Sequence, residues 1–307
     1  MNSAASTTKL RSAIVYSAIA LVGAAIAIVL ARWFVSSEAG ASFLAKYPGA
    51  VKSNSETPTG IPVWLNVQHF LNAFFIVLIV RTGWMVRTVQ RPEAYWTSNP
   101  ATLFGKKREP RKISLHLWLH MALDLLWVIN GAVYVVLLFF SGHWQRLVPT
   151  SWDIFPNALS AAVQYASLNW PHENGWISYN SLQQLAYFAI VFIAAPLAAI
   201  TGLRMSHLWT SRPNSKLSRA FPLAAARAVH FPTMVFFVLF VVGHVSLVML
   251  TGARQNLNHI FASSPGDGWL GIVLLAGLIV ITAAAWFFSK PVFLQPIASL
   301  FGKVTRQ

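Results

Sequence analysis

Six long apolar stretches constrain the fold of this chain more than any other feature of its sequence. An α-helix needs about 20 mostly apolar residues to cross a bilayer, and each stretch meets that length. Their predicted bounds are 13–35, 64–86, 116–140, 181–206, 227–251 and 269–289. Only 10% of the 307 residues are charged, against about 25% in soluble domains. The sequence therefore predicts an all-α integral membrane protein with six transmembrane helices.

Lys and Arg are concentrated in alternate connections between these spans. The basic connections are 87–112, 204–227 and the tail after 289, and the connections poor in Lys and Arg are 36–63, 141–180 and 252–268. Cytoplasmic loops carry the excess of basic residues in membrane proteins. This asymmetry predicts a multi-pass protein of the inner (cytoplasmic) membrane with both termini in the cytoplasm. It also explains the net charge of +15 without a nucleic-acid partner.

The first span, 13–35, follows Lys9 and Arg11, as the apolar core of a signal peptide would. Its apolar part exceeds the usual 7–15 residues of such a core, and no clear A-x-A site closes it, so we expect an uncleaved helix. Residues 36–63 are predicted to form an exposed loop and 156–168 a short interfacial helix. No soluble domain is indicated, and 1–307 is predicted to be a single membrane domain.

Two histidines, His230 and His244, lie inside the fifth span. At about 100° and about 1.5 Å per residue, their 14-residue separation puts them roughly 40° apart on one face and about 21 Å apart in height. Imidazoles are costly in hydrocarbon, so they indicate a functional site. Two stacked haems with bis-histidine ligation would explain them, and hydrogen bonds to neighbouring helices are the alternative.

The predicted depths of the other intramembrane histidines match these two. His69 lies in the outer third of the second span, level with His244. His116 and His120 lie in the inner third of the third span, level with His230, and either could be its partner. Helix bundles build cofactor sites in this way, from side chains on facing helices. The chain has no cysteine, which excludes iron–sulfur clusters, c-type haem and thiolate-ligated haem within it.

Two glycines and two arginines lie near these histidines in the sequence, and the role of each can be interpreted in two ways. Gly83 and Gly131 could admit a macrocycle or allow close helix packing. Arg81 and Arg204 could bind haem propionates or extend to the lipid headgroups. We favour a propionate contact for Arg81 and the headgroups for Arg204.

Asp124 is the acid that lies deepest inside a span, on one helix stripe with His116 and His120. It could carry protons to or from a quinone, or be a neutral carboxyl that hydrogen-bonds to a neighbouring backbone. His116 could be an alternative ligand, a quinone contact or an interfacial residue. The other histidines are predicted to be solvated or to face a partner: His143, His172, His207 and His259. No protease, P-loop or dinucleotide motif occurs, and no catalytic side chain is predicted.

Several stretches resemble a known family. They are HFLNAFFIVLIVRTG (69–83), HMALDLLWVINGAVYVV (120–136), SGHWQRLVP (141–149), YNSLQQLAYFAIVF (179–192), PLAAITGLRMS (196–206), VHFPTMVFFVLFVVGH (229–244) and MLTGARQNL (249–257). Over roughly 60–260 the chain is similar to di-haem cytochrome b membrane subunits of bacterial molybdopterin oxidoreductases, the thiosulfate-reductase cytochrome b type. It is more distantly similar to the cytochrome b of formate dehydrogenase and nickel–iron hydrogenase.

The resemblance implies that His69, His120, His230 and His244 are axial ligands of two haems b. The family's histidine lies ten residues before an Asn-Gly pair, which selects His120 over His116. It also implies a four-helix haem-binding core over 60–260, with 13–35 and 269–289 as flanking spans. Two departures stand out. The extra first span reverses the core relative to the formate dehydrogenase type, and Arg204 and His207 are not expected from the family.

The expected function is a respiratory-chain subunit that moves electrons between the membrane quinone pool and a separately encoded oxidoreductase. The resemblance implies a molybdopterin enzyme, with an iron–sulfur subunit as a further partner. Two alternatives stay open. One is a stand-alone quinol oxidase or ferric reductase with similar haems. The other is a haem-free transporter that moves protons through its intramembrane histidines and Asp124.

Overall fold

The apolar stretches of the sequence form helices in the computed structural model, which describes residues 2–52, 57–98, 112–170, 174–206, 209 and 215–306. Within these residues, six helices are long and apolar enough to cross a membrane: Arg11–Ser36, Val63–Thr88, Leu115–Phe140, Ser181–Met205, Leu223–Leu250 and Leu270–Phe288. The predicted all-α membrane fold with six spans is confirmed.

The elements are named here in chain order. The helices are α1 (Asn2–Ser36), α2 (Glu38–Lys46), α3 (Val63–Thr88), α4 (Leu115–Phe140), α5 (Ile154–Ala166), α6 (Ser181–Phe188), α7 (Ala195–Met205), α8 (Lys216–Ala220), α9 (Leu223–Leu250), α10 (Ala253–Ala262), α11 (Leu270–Phe288) and α12 (Pro291–Ser299). A 3₁₀ turn spans His143–Arg146, and the strands are β1 (Ala94–Ser98), β2 (Lys112–Ser114) and β3 (Gly302–Arg306).

The chain divides into two compact units. The first comprises Met1–Pro58 and Trp144–Phe188, and the second comprises Thr59–His143 and Ala189–Gln307. The assignment of 1–307 to one membrane domain stays a prediction.

In the first unit, helix α5 packs against α1 and α6. The Nε of Arg32 donates a hydrogen bond to the carbonyl of Ser167 at 3.0 Å and joins α1 to the end of α5. Helix α5 bears out the helix predicted at 156–168. Part of the exposed loop predicted over 36–63 is helical instead, as α2. The hydroxyl of Ser37 stabilises the start of this helix by accepting a hydrogen bond from the Gly40 N–H at 3.0 Å.

In the second unit, α3 packs along α4, α9 packs along α7, and α10 packs on α3 and α11. The indole N–H of Trp127 on α4 donates to Asn72 Oδ1 on α3 at 3.0 Å. The long helices of the haem core predicted over 60–260 thus form two packed pairs, α3 with α4 and α7 with α9.

A π-helical segment, Ala189–Ala194, immediately precedes α7 in the fourth span. Pro196 explains it, since proline has no N–H for the carbonyl four residues back and its ring clashes with that carbonyl. A wider π turn accommodates the mismatch without breaking the helix.

Three short strands, which we did not predict, form an antiparallel sheet in the order β2-β1-β3. Trp96 of β1 donates its indole N–H to the carbonyl of Ala298 at 3.1 Å. The sheet joins the connection after α3 to the C-terminal tail, two segments that the charge pattern assigns to the same membrane side.

Candidate functional site

Four intramembrane histidines of the second unit lie in two ring pairs. The rings of His69 on α3 and His244 on α9 have centroids 6.3 Å apart and planes at 59°. Those of His120 on α4 and His230 on α9 have centroids 6.5 Å apart and planes at 88°. We call the first two the outer pair and the second two the inner pair. The histidines matched by predicted depth are thus neighbours, and the residue facing His230 is His120.

Helix α9 is not closely packed along the helices that carry its partner histidines, among the described residues. Within the described residues, the backbone of α9 packs closely on α7 and α10 and not along α3 or α4. An aromatic pair connects α4 and α9 between the two histidine levels. Trp127 on α4 meets the buried Phe237 on α9 with ring centroids 6.1 Å apart. Side chains, rather than close backbone packing, therefore join α9 to α4 between the histidine levels.

The separation within each pair fits an iron held between two imidazoles. A metal–imidazole nitrogen bond is about 2.0–2.1 Å long, so two rings on opposite sides of one ion have centroids roughly 6 Å apart. The observed 6.3 and 6.5 Å agree with that value. The donor set is also right, because bis-histidine ligation is one of the ways in which proteins hold haem iron. The residues present therefore fit two b-type haems.

Threonine hydroxyls contact both imidazoles of the inner pair. Thr82 Oγ1 lies 3.0 Å from Nδ1 of His120, and Thr201 Oγ1 lies 2.8 Å from Nδ1 of His230. Both threonines are buried. In the outer pair, none of the described residues hydrogen-bonds the buried Nδ1 of His69. Our sequence reasoning missed these threonines, although a Thr-Gly pair near the inner end of both the second and the fourth span was a usable signal.

The glycines of these Thr-Gly pairs lie against the same rings. A Cβ added to Gly83 would lie 3.0 Å from Cε1 of His120, and one added to Gly202 would lie 3.5 Å from Cε1 of His230. A Cβ at Gly131 would meet nothing within 4 Å. Gly83 thus makes room for an imidazole ring, and the macrocycle predicted beside it stays a prediction.

Asp124 lies one helical turn after His120. Its Oδ2 is 3.6 Å from Nε2 of His120, and its side chain is one-third exposed. This distance is too long for a hydrogen bond, but it puts a carboxylate beside the inner pair. His116 is buried in the first turn of α4.

The two predicted arginines have partners within the protein. Arg81 donates to Ser289 Oγ, and its guanidinium lies 4.5 Å from the ring centroid of Trp286. Arg204 is buried and donates to the carbonyl of Phe221 at 2.5 Å. The headgroup-directed role predicted for Arg204 is therefore wrong, because its charge is held by backbone carbonyls.

Two histidines predicted to be solvated or partner-facing are buried instead. His143 lies 3.1 Å from Ser141 Oγ through Nδ1, and its ring meets Trp64 with centroids 5.8 Å apart. His259 lies on α10, not in a loop, with Nε2 3.3 Å from the Pro265 carbonyl. The prediction is wrong for both. His172 and His207 lie outside the described residues.

Comparison with known proteins gives two matches. The family described as prokaryotic cytochrome b561 matches residues 60–263. A relative from Azospira oryzae is 32% identical over 203 residues, which cover 62% of this chain and 89% of the relative. Its provisional name is protein-methionine-sulfoxide reductase subunit YedZ1. No solved structure matches the chain.

Proposed function

The chain belongs to the prokaryotic cytochrome b561 family of membrane electron-transfer subunits with b-type haem, and we propose that it carries two haems. In this proposal the outer pair, His69 and His244, ligates one iron, and the inner pair, His120 and His230, ligates the other. The predicted resemblance to a bacterial cytochrome b membrane subunit is confirmed. The thiosulfate-reductase type remains a proposal.

The observation that carries the proposal is the spacing of the two ring pairs. Each pair joins a different helix to α9, at separations of 6.3 and 6.5 Å that suit one intervening iron. Histidines that only hydrogen-bond to neighbouring helices would not need to form two such pairs at two heights along one helix. Gly83 lies against His120 of the inner pair, and Arg81 lies two residues before it on α3. We assign both to the inner haem, Gly83 as a space for the macrocycle and Arg81 as a propionate partner.

A bound haem supplies one-electron redox chemistry. Two histidines at one iron fill both axial positions, which suits electron transfer rather than the binding of oxygen. The side chains of the chain orient the cofactor and exclude water from it, and none of them makes or breaks substrate bonds. We therefore assign no catalytic residue to this chain.

The diffusible partner we propose is a membrane quinone. Quinone reduction and quinol oxidation require protons as well as electrons, and Asp124 is a carboxylate beside the inner pair. We propose that Asp124 moves protons at the quinone site and that His116, about two turns earlier on α4, contributes to it.

The second partner we propose is a separately encoded molybdopterin oxidoreductase, with an iron–sulfur subunit as a further component. The sequence resemblance supports this assignment. The Azospira oryzae relative is named as a subunit of a reductase, which supports a reductase as the partner of this chain. The chain would be a single membrane domain in the inner membrane with both termini cytoplasmic, as its basic connections indicate.

A difference spectrum of the purified full chain tests the proposal. Dithionite-reduced minus oxidised protein should give a b-type band, and added quinol should produce the same band. Absence of the band from folded protein would refute the haem assignment and favour the proton-coupled transporter. Purification of the intact complex addresses the other rival, because a stand-alone quinol oxidase or ferric reductase would copurify with no oxidoreductase.

A further inference from the structure

The Thr-Gly pairs of α3 and α7 contact the two imidazoles of the inner pair in the same way. Thr82 Oγ1 lies 3.0 Å from His120 Nδ1, and Thr201 Oγ1 lies 2.8 Å from His230 Nδ1. Each threonine precedes a glycine that lies against the same ring. Two different helices, α3 and α7, thus supply the same contact to the two imidazoles of one pair.

The hydroxyl proton of each threonine is already committed to the backbone. Thr82 Oγ1 lies 2.8 Å from the carbonyl oxygen of Leu78, and Thr201 Oγ1 lies 2.5 Å from that of Leu197. A carbonyl oxygen has no proton to donate, so contacts this short require the hydroxyl to be the donor. This is the common back-bond of threonine to the preceding helical turn.

The proton between each threonine and its histidine must then come from the imidazole. A hydroxyl has one proton and two lone pairs, so a hydroxyl that already donates its proton can only accept a hydrogen bond from the ring. Nδ1 of His120 and Nδ1 of His230 are therefore N–H donors. In a neutral imidazole the other nitrogen, Nε2, is then unprotonated and able to bind a metal. Oδ2 of Asp124 is 3.6 Å from Nε2 of His120, too far for a hydrogen bond that would occupy this nitrogen.

We propose that Thr82 and Thr201 are positioning residues that fix the Nδ1–H tautomers of His120 and His230 and make both imidazoles stronger ligands of the inner haem. The proposal rests on the two-haem function above. A hydrogen bond accepted from the distal N–H of a metal-bound histidine fixes the ring and raises its basicity. A more basic ligand stabilises oxidised iron, so the threonines lower the midpoint potential of the inner haem. The buried Nδ1 of His69, in the outer pair, has no such bond among the described residues.

Redox titration of the full chain in detergent, followed in the b-type band, tests this proposal. Thr82→Val and Thr201→Val keep the shape of the side chain and remove the hydroxyl. Each should raise one of the two midpoint potentials and leave the other at its wild-type value. Thr82→Ser and Thr201→Ser keep the hydroxyl and should restore the wild-type potential.

Thr233→Val on α9 is the matched control. Thr233 is buried and donates the same back-bond to the carbonyl of Val229 at 2.8 Å, and no imidazole among the described residues hydrogen-bonds to it. This variant should leave both potentials unchanged. Loss of one haem from Thr82→Val, with both retained in Thr82→Ser, would support the proposal in the same way as a shift.

Unchanged potentials in both valine variants with full haem content would overturn the proposal and leave the two-haem function intact. An equal shift in Thr233→Val would also overturn it, because the effect would then come from losing any buried hydroxyl. Wild-type protein without haem would refute the proposed function itself, and the inference with it.

Discussion

Alanine at Gly83 and alanine at Gly202 should have opposite effects, although both positions are helical glycines beside an imidazole of the inner pair. The new Cβ at Gly83 would lie 3.0 Å from Cε1 of His120 and 3.6 Å from both ring nitrogens. The new Cβ at Gly202 would lie 3.5 Å from Cε1 of His230, an ordinary van der Waals contact. Gly83→Ala therefore pushes a ring, and Gly202→Ala only fills space.

Two effects set the magnitudes. Replacing glycine by alanine inside a helix stabilises it by about 1 kcal/mol, which applies at both positions. Overpacking a filled site costs about 1–3 kcal/mol, and this applies at Gly83 alone. His120 cannot move aside freely, because Thr82 holds its Nδ1 and His230 faces it. The free energy of unfolding of Gly202→Ala should thus be about 1 kcal/mol higher than that of wild type. For Gly83→Ala the overpacking cost outweighs the helix gain, and the free energy of unfolding should fall by up to about 2 kcal/mol.

The loss at Gly83 should affect binding of the proposed inner haem, since the displaced ring of His120 is one of its proposed ligands. A cost of about 2 kcal/mol weakens binding by roughly 30-fold, because about 1.4 kcal/mol corresponds to tenfold. Haem content and thermal stability of Gly83→Ala, Gly202→Ala and the control Gly131→Ala measure these effects. Equal haem occupancy and equal potentials in all three would refute the geometry of the inner pair described here.

Three further outcomes are expected. His230→Ala should lose about half of the haem, measured by absorbance per chain, and retention of both haems would refute the pairing. Arg204→Ala should lower the free energy of unfolding by about 1–3 kcal/mol, because the part-buried carbonyl of Phe221 loses its donor; an unchanged thermal midpoint would show that the contact with Phe221 is dispensable. Asp124→Asn should keep both haems but slow reduction by quinol about tenfold or more, and an unchanged rate would remove Asp124 from the proton path.

The membrane fold was predictable because span length and charge asymmetry are physical requirements of the bilayer. The bounds of the six helices agree with the predicted spans to within a few residues. The vertical matching of His69 with His244 and of His120 with His230 was predictable for the same reason, since depth follows from residue count along a helix. Rotation about each helix axis was less accessible, so the sequence left both His116 and His120 as candidates.

The surroundings of the rings were not predictable from spacing. Thr82 and Thr201 lie on helices distant in sequence from their imidazole partners, and only tertiary packing brings them into contact. The burial of His143 and His259 was missed because both lie in connections, which we took to be solvated. Arg204 was assigned to the headgroups because nothing local in the sequence indicates its carbonyl partner, Phe221, 17 residues later.

The central claim is that each chain holds two b-type haems between paired histidines, and the haem content per polypeptide tests it most directly. Haem extracted from the purified, folded chain should amount to two b-type haems per polypeptide, with His69→Ala and His120→Ala each retaining one. A wild-type value of one or none, or full retention by either variant, would contradict this account.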